Sequence, residues 1–215
     1  QISAHSFIED VLVKKIKAKY CYVGDDFRFG KDRLGDCNML QEHSIDYGFN
    51  VETVDGVSID NQRVSSSAIR KLLSSGDFQT AEKLLGRPFA ISGRVAHGDK
   101  KGRKIGFPTA NISIRRKLSP VLGVFSVLIR INNITYKGVC NVGKRPTLGG
   151  LKVLLEVFIF DFNQEIYGSR VNVFFKQKCR EEIKFNSLEE LKNQIKKDVK
   201  NSKQYFKDAN VDWSI

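Results

Sequence analysis

The pattern of apolar positions changes character along the chain. Phe7, Ile8, Val11, Leu12 and Ile16 recur at near-helical spacing behind Ser6, a residue suited to capping, and predict an opening helix. Tyr20-Cys21-Tyr22-Val23 then reads as a short buried strand. It leads into the glycine- and charge-rich Gly24-Asp25-Asp26-Phe27-Arg28-Phe29-Gly30, so helix, strand and loop succeed one another as in an α/β domain. Ile69, Leu72 and Leu73, followed by Phe78, Ala81, Leu84 and Leu85, predict two short helices over 67–75 and 77–85. A tight turn at Ser75-Gly76 joins them, and Gly86-Arg87-Pro88 stops the second.

Beyond that stop, β-branched and aromatic runs bounded by glycine and proline take over, which sets a domain boundary at about residue 87 and divides the chain into 1–86 and 87–215. Strands are predicted over 89–97, 124–131, 134–142, 153–161 and 171–178. Asn132-Asn133 suits a two-residue hairpin turn, because asparagine tolerates positive φ. Consecutive strands with few helices between them favour an antiparallel barrel or sandwich. Ser187-Leu188-Glu189-Glu190 has the capping-box pattern, and Leu188, Leu191, Ile195 and Val199 follow at helical spacing, so a final amphipathic helix should pack on the barrel.

Composition narrows the class. The 215 residues are 41% hydrophobic and 28% charged, which fits a folded globular protein and excludes a disordered or fibrous one. No uncharged apolar stretch approaches the roughly 20 residues of a spanning helix, and the first residues lack a basic segment followed by an apolar run. A cytoplasmic protein with neither membrane span nor signal peptide is therefore expected. Cys21, Cys37, Cys140 and Cys179 form no Cys-x-x-Cys pair, which argues against a zinc site or a disulfide framework and for reduced thiols. The net charge of +12, from 36 Lys and Arg against 24 Asp and Glu, favours an anionic partner: a nucleic acid, a phosphorylated ligand or a membrane surface. A solvated lysine-rich face would produce the same balance.

The densest candidate chemistry lies between Gly93 and Asn111. Its glycines and cations can bring backbone N–H groups and positive charge to phosphate oxygens. Gly93 and Gly98 have the spacing of a P-loop, but Asp99-Lys100 follows instead of Lys-Ser/Thr, and no helix is expected, so the grip would come from a β-domain loop. Thr109 and Asn111, two residues apart on an extended chain, offer oxygen donors on one side, as Mg²⁺ bridging phosphates requires; a turn satisfying its own backbone explains the same pair. Glu156 interrupts the apolar run Val153 to Phe160. Either it faces a water-filled site, as a candidate base, or it forms a cross-strand ion pair on the face it shares with Lys152, Leu154 and Phe158. Asn141 to Gly150 reads as a polar loop between strands, long enough to be a flap and equally an idle surface loop. His5, His43 and His97 are scattered, and only His97, beside Gly98, adjoins this cluster.

Read in order, Gly93-x-Val95-x-His97-Gly98, Gly102-Arg103-x-x-Gly106-Phe107-Pro108-Thr109-Ala110-Asn111, Gly138-Val139-x-Asn141-Val142-Gly143-x-Arg145-Pro146-Thr147, Glu156-x-x-x-Phe160-Asp161-Phe162, Tyr167-Gly168 and Arg180-x-Glu182-x-Lys184-Phe185 resemble riboflavin kinase. The part before residue 87 is similar to the later half of the FMN adenylyltransferase domain of bacterial bifunctional riboflavin kinase/FAD synthetases. It carries Gly24-x-Asp26-Phe27-Arg28-Phe29-Gly30 and Ser65-Ser66-Ser67-x-Ile69-Arg70, with Ser67 where threonine is usual. That domain opens with a His-x-Gly-His motif in the family, and no histidine here stands in that context, so the chain is expected to be a truncated or processed piece with little FAD-forming activity of its own.

The resemblance implies an α/β fragment, a nucleotidyltransferase-like Rossmann half, followed by an all-β antiparallel Greek-key barrel of six strands with a C-terminal helix. It implies ATP-dependent phosphorylation of riboflavin to FMN, with Mg²⁺ as cofactor. Gly98, Lys100, Gly102, Arg103, Gly106, Phe107, Pro108 and Thr109 would bind ATP, Thr109 and Asn111 the metal, and Glu156 would be the base. Asn141, Gly143, Arg145, Pro146, Thr147 and Arg180 would bind flavin, and Asp26, Phe27, Ser65, Ser66, Ser67 and Arg70 would be remnants of the adenylyltransferase site. The competing class is a non-enzymatic basic β-barrel that binds nucleic acid. Phe125, Phe158, Phe160, Phe174 and Phe175 lie in apolar strands, where core packing suits them better than base stacking, so small-molecule partners (riboflavin, FMN, ATP, ADP) are expected rather than nucleic acid or membrane.

Overall fold

The computed structural model describes residues 2–98, 101–114, 119–147 and 150–208, with side chains at all of these except 101, 104, 145–147 and 150–152. Packing divides the chain into a unit of Gln1–Val64 and a unit of Ser65–Ile215.

In the first unit, α1 (Ala4–Ser6) runs into a wider-wound helical stretch, Phe7–Ile16. Its cap is Ser3, whose hydroxyl accepts the Ser6 N–H at 3.0 Å; the expected cap Ser6 already lies inside the helix. Strands β1 (Tyr20–Gly24) and β2 (Asn50–Val54) pair in parallel around α2 (Cys37–Tyr47). The expected buried strand is instead half open. Tyr20 and Tyr22 point outward while Cys21 and Val23 pack toward Ile8, Phe29 and Leu40, since one face of a two-stranded ribbon is all this core covers. A short ribbon of β3 (Ser58–Ile59) and β4 (Gln62–Arg63) follows.

The second unit begins with the predicted helix pair, α3 (Ser66–Ser75) and α4 (Phe78–Leu85), capped by Ser65 and Asp77 through the backbone N–H groups of Ala68 and Thr80. Leu73, Phe78 and Ala81 join the core of a closed six-stranded antiparallel barrel, so by packing these helices go with the strands that follow. The barrel consists of β5 (Ala90–Ala96), β6 (Ala110–Ser113), β7 (Gly123–Ile131), β8 (Ile134–Thr147), β9 (Gly150–Ile159) and β10 (Arg170–Arg180). Their order around it is β10-β5-β6-β9-β8-β7: a β7-β8-β9 meander returns to β6, and β10 closes between β5 and β7, as in a Greek key.

Three features of the strands and one helix differ from the sequence pattern. The four-residue β6 is too short for alternation to reveal it. One turn of helix, α5 (Lys101–Lys104), stands where no helix is expected after Gly98. The expected loop 141–150 is largely strand: β8 continues to Thr147 and pairs with β9 down to Thr147↔Gly150, because a hairpin ladder tolerates glycine and polar side chains that local propensity would assign to a loop. β10 reaches Arg180 through register shifts at Phe175/Gln177 and Lys178/Arg180. The Asn132-Asn133 turn forms as expected, both residues with positive φ, between Ile131 and Ile134.

Burial alternates strictly from Val153 to Ile159 of β9. Val153, Leu155, Val157 and Ile159 fill the barrel interior, whereas Leu154, Glu156 and Phe158 occupy its outer face. Part of that outer face, including Val124, Leu128 and Val139, is covered by α6 (Leu188–Asp208) through Val199 and Phe206. Ser187 caps α6 by accepting the Glu190 N–H at 3.1 Å, and the Glu190 carboxylate accepts the Asn186 N–H at 3.0 Å.

Candidate active site

Antiparallel register brings the polar residues of three neighbouring strands into one row. Asn111 of β6 lies opposite Glu156 of β9, and Glu156 lies opposite Asn141 of β8. Such cross-strand partners stand about 5 Å apart, close enough for their side chains to act on one ligand. All three are on the barrel's outer face, and all three line a cavity of about 570 Å³ between that face and the chain from Arg180 into α6.

Around this row the cavity collects residues of two kinds. On one side are Ala96, His97, Gly98, Gly102, Phe107 and Thr109, from the end of β5 and the segment leading into β6. Gly98 comes close to Asn111 there, and a Cβ on it would overlap the Asn111 side-chain amide unless that amide moved. His97 stacks on Tyr167 with ring centroids 4.0 Å apart, and Phe107 meets Phe158 edge-on at 5.3 Å. On the other side are Ile183, Phe185, Leu188, Leu191 and Ile195, an apolar wall contributed by the β10–α6 connection and the first half of α6. Ile183 is 50% and Leu188 66% exposed, so this wall is open to a ligand. Gly143 of β8 also sits in the lining, and a Cβ there would overlap the Glu182 carboxylate. The site thus joins a polar end with backbone room for phosphate oxygens to an apolar end suited to a flat ring system.

Arg180 is firmly held. Its Nε donates to both carboxylate oxygens of Asp198 at 3.0 and 3.1 Å, its Nη2 donates to Oδ2 at 2.7 Å, and its Nη1 donates to the Glu181 carbonyl at 2.9 Å. The guanidinium also lies 5.9 Å from the Phe185 ring centroid. Nearby, burial pushes the Cys140 thiol well above its ordinary range, and the neighbouring Cys179 adds to the shift. Cys179 is likewise raised by burial, so neither thiol offers a thiolate nucleophile at neutral pH.

The sequence matches the family model "Riboflavin kinase" over residues 85–206 and the model "FAD synthetase" over residues 1–68. The chain belongs to the riboflavin kinase family. The bifunctional riboflavin kinase/FMN adenylyltransferase of Haemophilus influenzae is 50% identical over 204 residues, covering 94% of this chain and 66% of the relative. The protein of the same name from Escherichia coli is 44% identical over 206 residues, with 95% and 66% covered. The chain therefore spans 66% of the length of these relatives. A crystal structure described as a macrolide-efflux protein from Streptococcus pneumoniae superposes on 98% of this chain and 66% of its own, with a TM-score of 0.64 and 33% identity.

Of the positions that the riboflavin kinase resemblance singles out, Gly98, Gly102, Phe107, Thr109, Asn111, Asn141, Gly143, Glu156 and Arg180 line this cavity. Arg103, Gly106 and Pro108 are exposed and are not part of its lining. Lys100 and the side chains of Arg145, Pro146 and Thr147 lie outside the described residues. In the first unit, Phe27 stacks on Phe29 at 5.5 Å, and Asp26 stands 3.5 Å from Arg63. Arg63 also pairs with Asp25 and holds that carboxyl below its usual range. In the second unit, Ser65 serves as the α3 cap while Ser66, Ser67 and Arg70 are exposed, and none of these four lines the cavity. The apolar wall from Ile183 to Ile195 has no counterpart in the sequence reading, where Leu188, Leu191 and Ile195 stand as a core-facing stripe. The spare signal was Ile183 and Phe185, two apolar residues in an otherwise charged connection.

Proposed function

We propose that this chain transfers the γ-phosphoryl group of ATP to the 5′-hydroxyl of riboflavin, yielding FMN and ADP. The observation that carries this reading is the Asn111–Glu156–Asn141 row, set by strand register in a cavity that is polar at one end and apolar at the other. Glu156 accepts the proton of the ribityl hydroxyl and aims it at the phosphorus. The apolar wall from Ile183 to Ile195 takes the isoalloxazine ring, with Asn141, Gly143, Arg145, Pro146, Thr147 and Arg180 completing the flavin side. Gly98, Lys100, Gly102, Arg103, Gly106, Phe107 and Pro108 form the ATP side with Thr109. Phosphoryl transfer asks chiefly for positioning and neutralisation of charge, so one carboxylate and a phosphate-binding segment suffice as the protein's share.

Thr109 and Asn111 suit a Mg²⁺ that stays largely hydrated and bound to phosphate. They supply a hydroxyl and an amide oxygen, and Gly98, lacking a Cβ, leaves room for the Asn111 amide beside it. Mg²⁺ bound there would neutralise triphosphate charge. By resemblance, residues 1–86 are assigned to the later part of an FMN adenylyltransferase domain, although α3 and α4 within them pack on the barrel, and 87–215 to the kinase, working in the cytoplasm, where ATP is available. The test is incubation of the chain with riboflavin and MgATP followed by chromatographic separation of flavins. An FMN peak that requires ATP and the divalent ion is expected, and its absence overturns the reading. The same chromatogram checks the expectation of little FAD.

A further inference from the structure

Asp198 is a carboxylate only 5% exposed, placed mid-way along α6 in the wall of the cavity. A buried carboxylate costs stability unless its charge and lone pairs are met. Here they are met: Oδ1 accepts from Arg180 Nε at 3.0 Å and from Gln194 Nε2 at 2.9 Å, and Oδ2 accepts from Arg180 Nη2 at 2.7 Å. Burying such a pair is a poor way to gain stability, because apolar residues of the same volume usually do as well or better. What a bidentate pair supplies instead is position. The guanidinium is held as a plane, with its Nε/Nη2 edge occupied and its remaining N–H groups offered from a fixed point on the cavity wall.

Two further features fix the same point. The register shift between Lys178 and Arg180 turns the end of β10 just where Arg180 projects. The Arg180 Nη1 bond to the Glu181 carbonyl and the contact with Phe185 tie in the connection that carries the apolar wall. We infer that Asp198 is a positioning residue for flavin binding: it holds Arg180, and through Arg180 the segment from Glu181 to Phe185, in the arrangement that receives the ring system. This rests on the riboflavin kinase reading of the cavity.

The test is steady-state kinetics of the full chain with riboflavin and MgATP varied separately, beside thermal melting. Asp198→Asn should raise the riboflavin KM by about an order of magnitude, the scale expected when one partner of a charge-assisted pair is lost. The MgATP KM should stay within about twofold, and Asp198→Glu should restore part of the loss. The double variant Arg180→Met/Asp198→Leu separates position from stability, since it should melt close to wild type yet keep the weakened flavin binding. An unchanged riboflavin KM in Asp198→Asn, or a rise in both KM values together, overturns the proposal. If the wild-type chain makes no FMN, the kinase reading has failed. Flavin affinity measured by fluorescence quenching then decides on Asp198 alone, with equal affinity in wild type and Asp198→Asn counting against it.

Discussion

In the kinase reading proposed above Glu156 is the base, and the pleat of β9 explains how it reaches the cavity. Leu155 and Val157 on either side of it are fully buried in the barrel, yet the pleat turns Glu156 to the opposite face and into the cavity. Glu156→Gln keeps the volume and removes the proton acceptor. FMN formation should fall by about 10²- to 10⁴-fold with little change in melting temperature, and near wild-type turnover would reject the role. Gly98 admits a sharper test of the polar end. Gly98→Ala pushes against the Asn111 amide, so the apparent KM for MgATP should rise several-fold while that for riboflavin holds; an unaltered ATP titration would mean that Asn111 does not serve the nucleotide. Both residues were legible in the sequence, Glu156 as a charge in an apolar run and Gly98 as a glycine beside histidine and cations. Their mutual placement was not, because it comes from pairing between strands more than forty residues apart.

At the scale of elements, α6 has two roles that its sequence period does not distinguish. Its second half packs Val199 and Phe206 against the barrel, whereas Leu188, Leu191 and Ile195 in its first half line the cavity. An apolar stripe records only that something apolar will face it, whether core or ligand. Two substitutions separate the halves. Phe206→Ala, at a position 4% exposed, should cost about 3–5 kcal/mol of stability, read from denaturant unfolding. Leu188→Asn, at 66% exposure, should leave stability within about 0.5 kcal/mol and raise the riboflavin KM. Unfolding costs of equal size would show that the whole stripe is core. The long β8–β9 hairpin was hidden in the sequence for a related reason: Gly143, Lys144 and Pro146 look like a loop until a partner strand supplies their ladder.

For the molecule as a whole, five of the six barrel strands and the closing helix were readable from alternation and capping, while closure itself was not. Which strands pair depends on packing between residues distant in sequence, Leu73 and Phe78 in the barrel core among them, and single-strand patterns do not carry that information. The interior also sets an alkaline limit. The Cys140 thiol ionises at a higher pH in the folded barrel than in the unfolded chain, where its ordinary value is 9.0. The unfolded chain therefore loses this proton first: stability is unaffected below about pH 9 and declines as the pH climbs from there toward the native value. Cys140→Val should flatten that decline in melting temperature, and parallel curves for the two proteins would assign the alkaline loss to other groups. The strict alternation along β9 has a last consequence. Exchanging the loops at either end of this strand would leave the acid where it is, but one residue inserted within it would turn Glu156 inward among the valines and bring a leucine out in its place, so β9 can drift in composition but hardly in length.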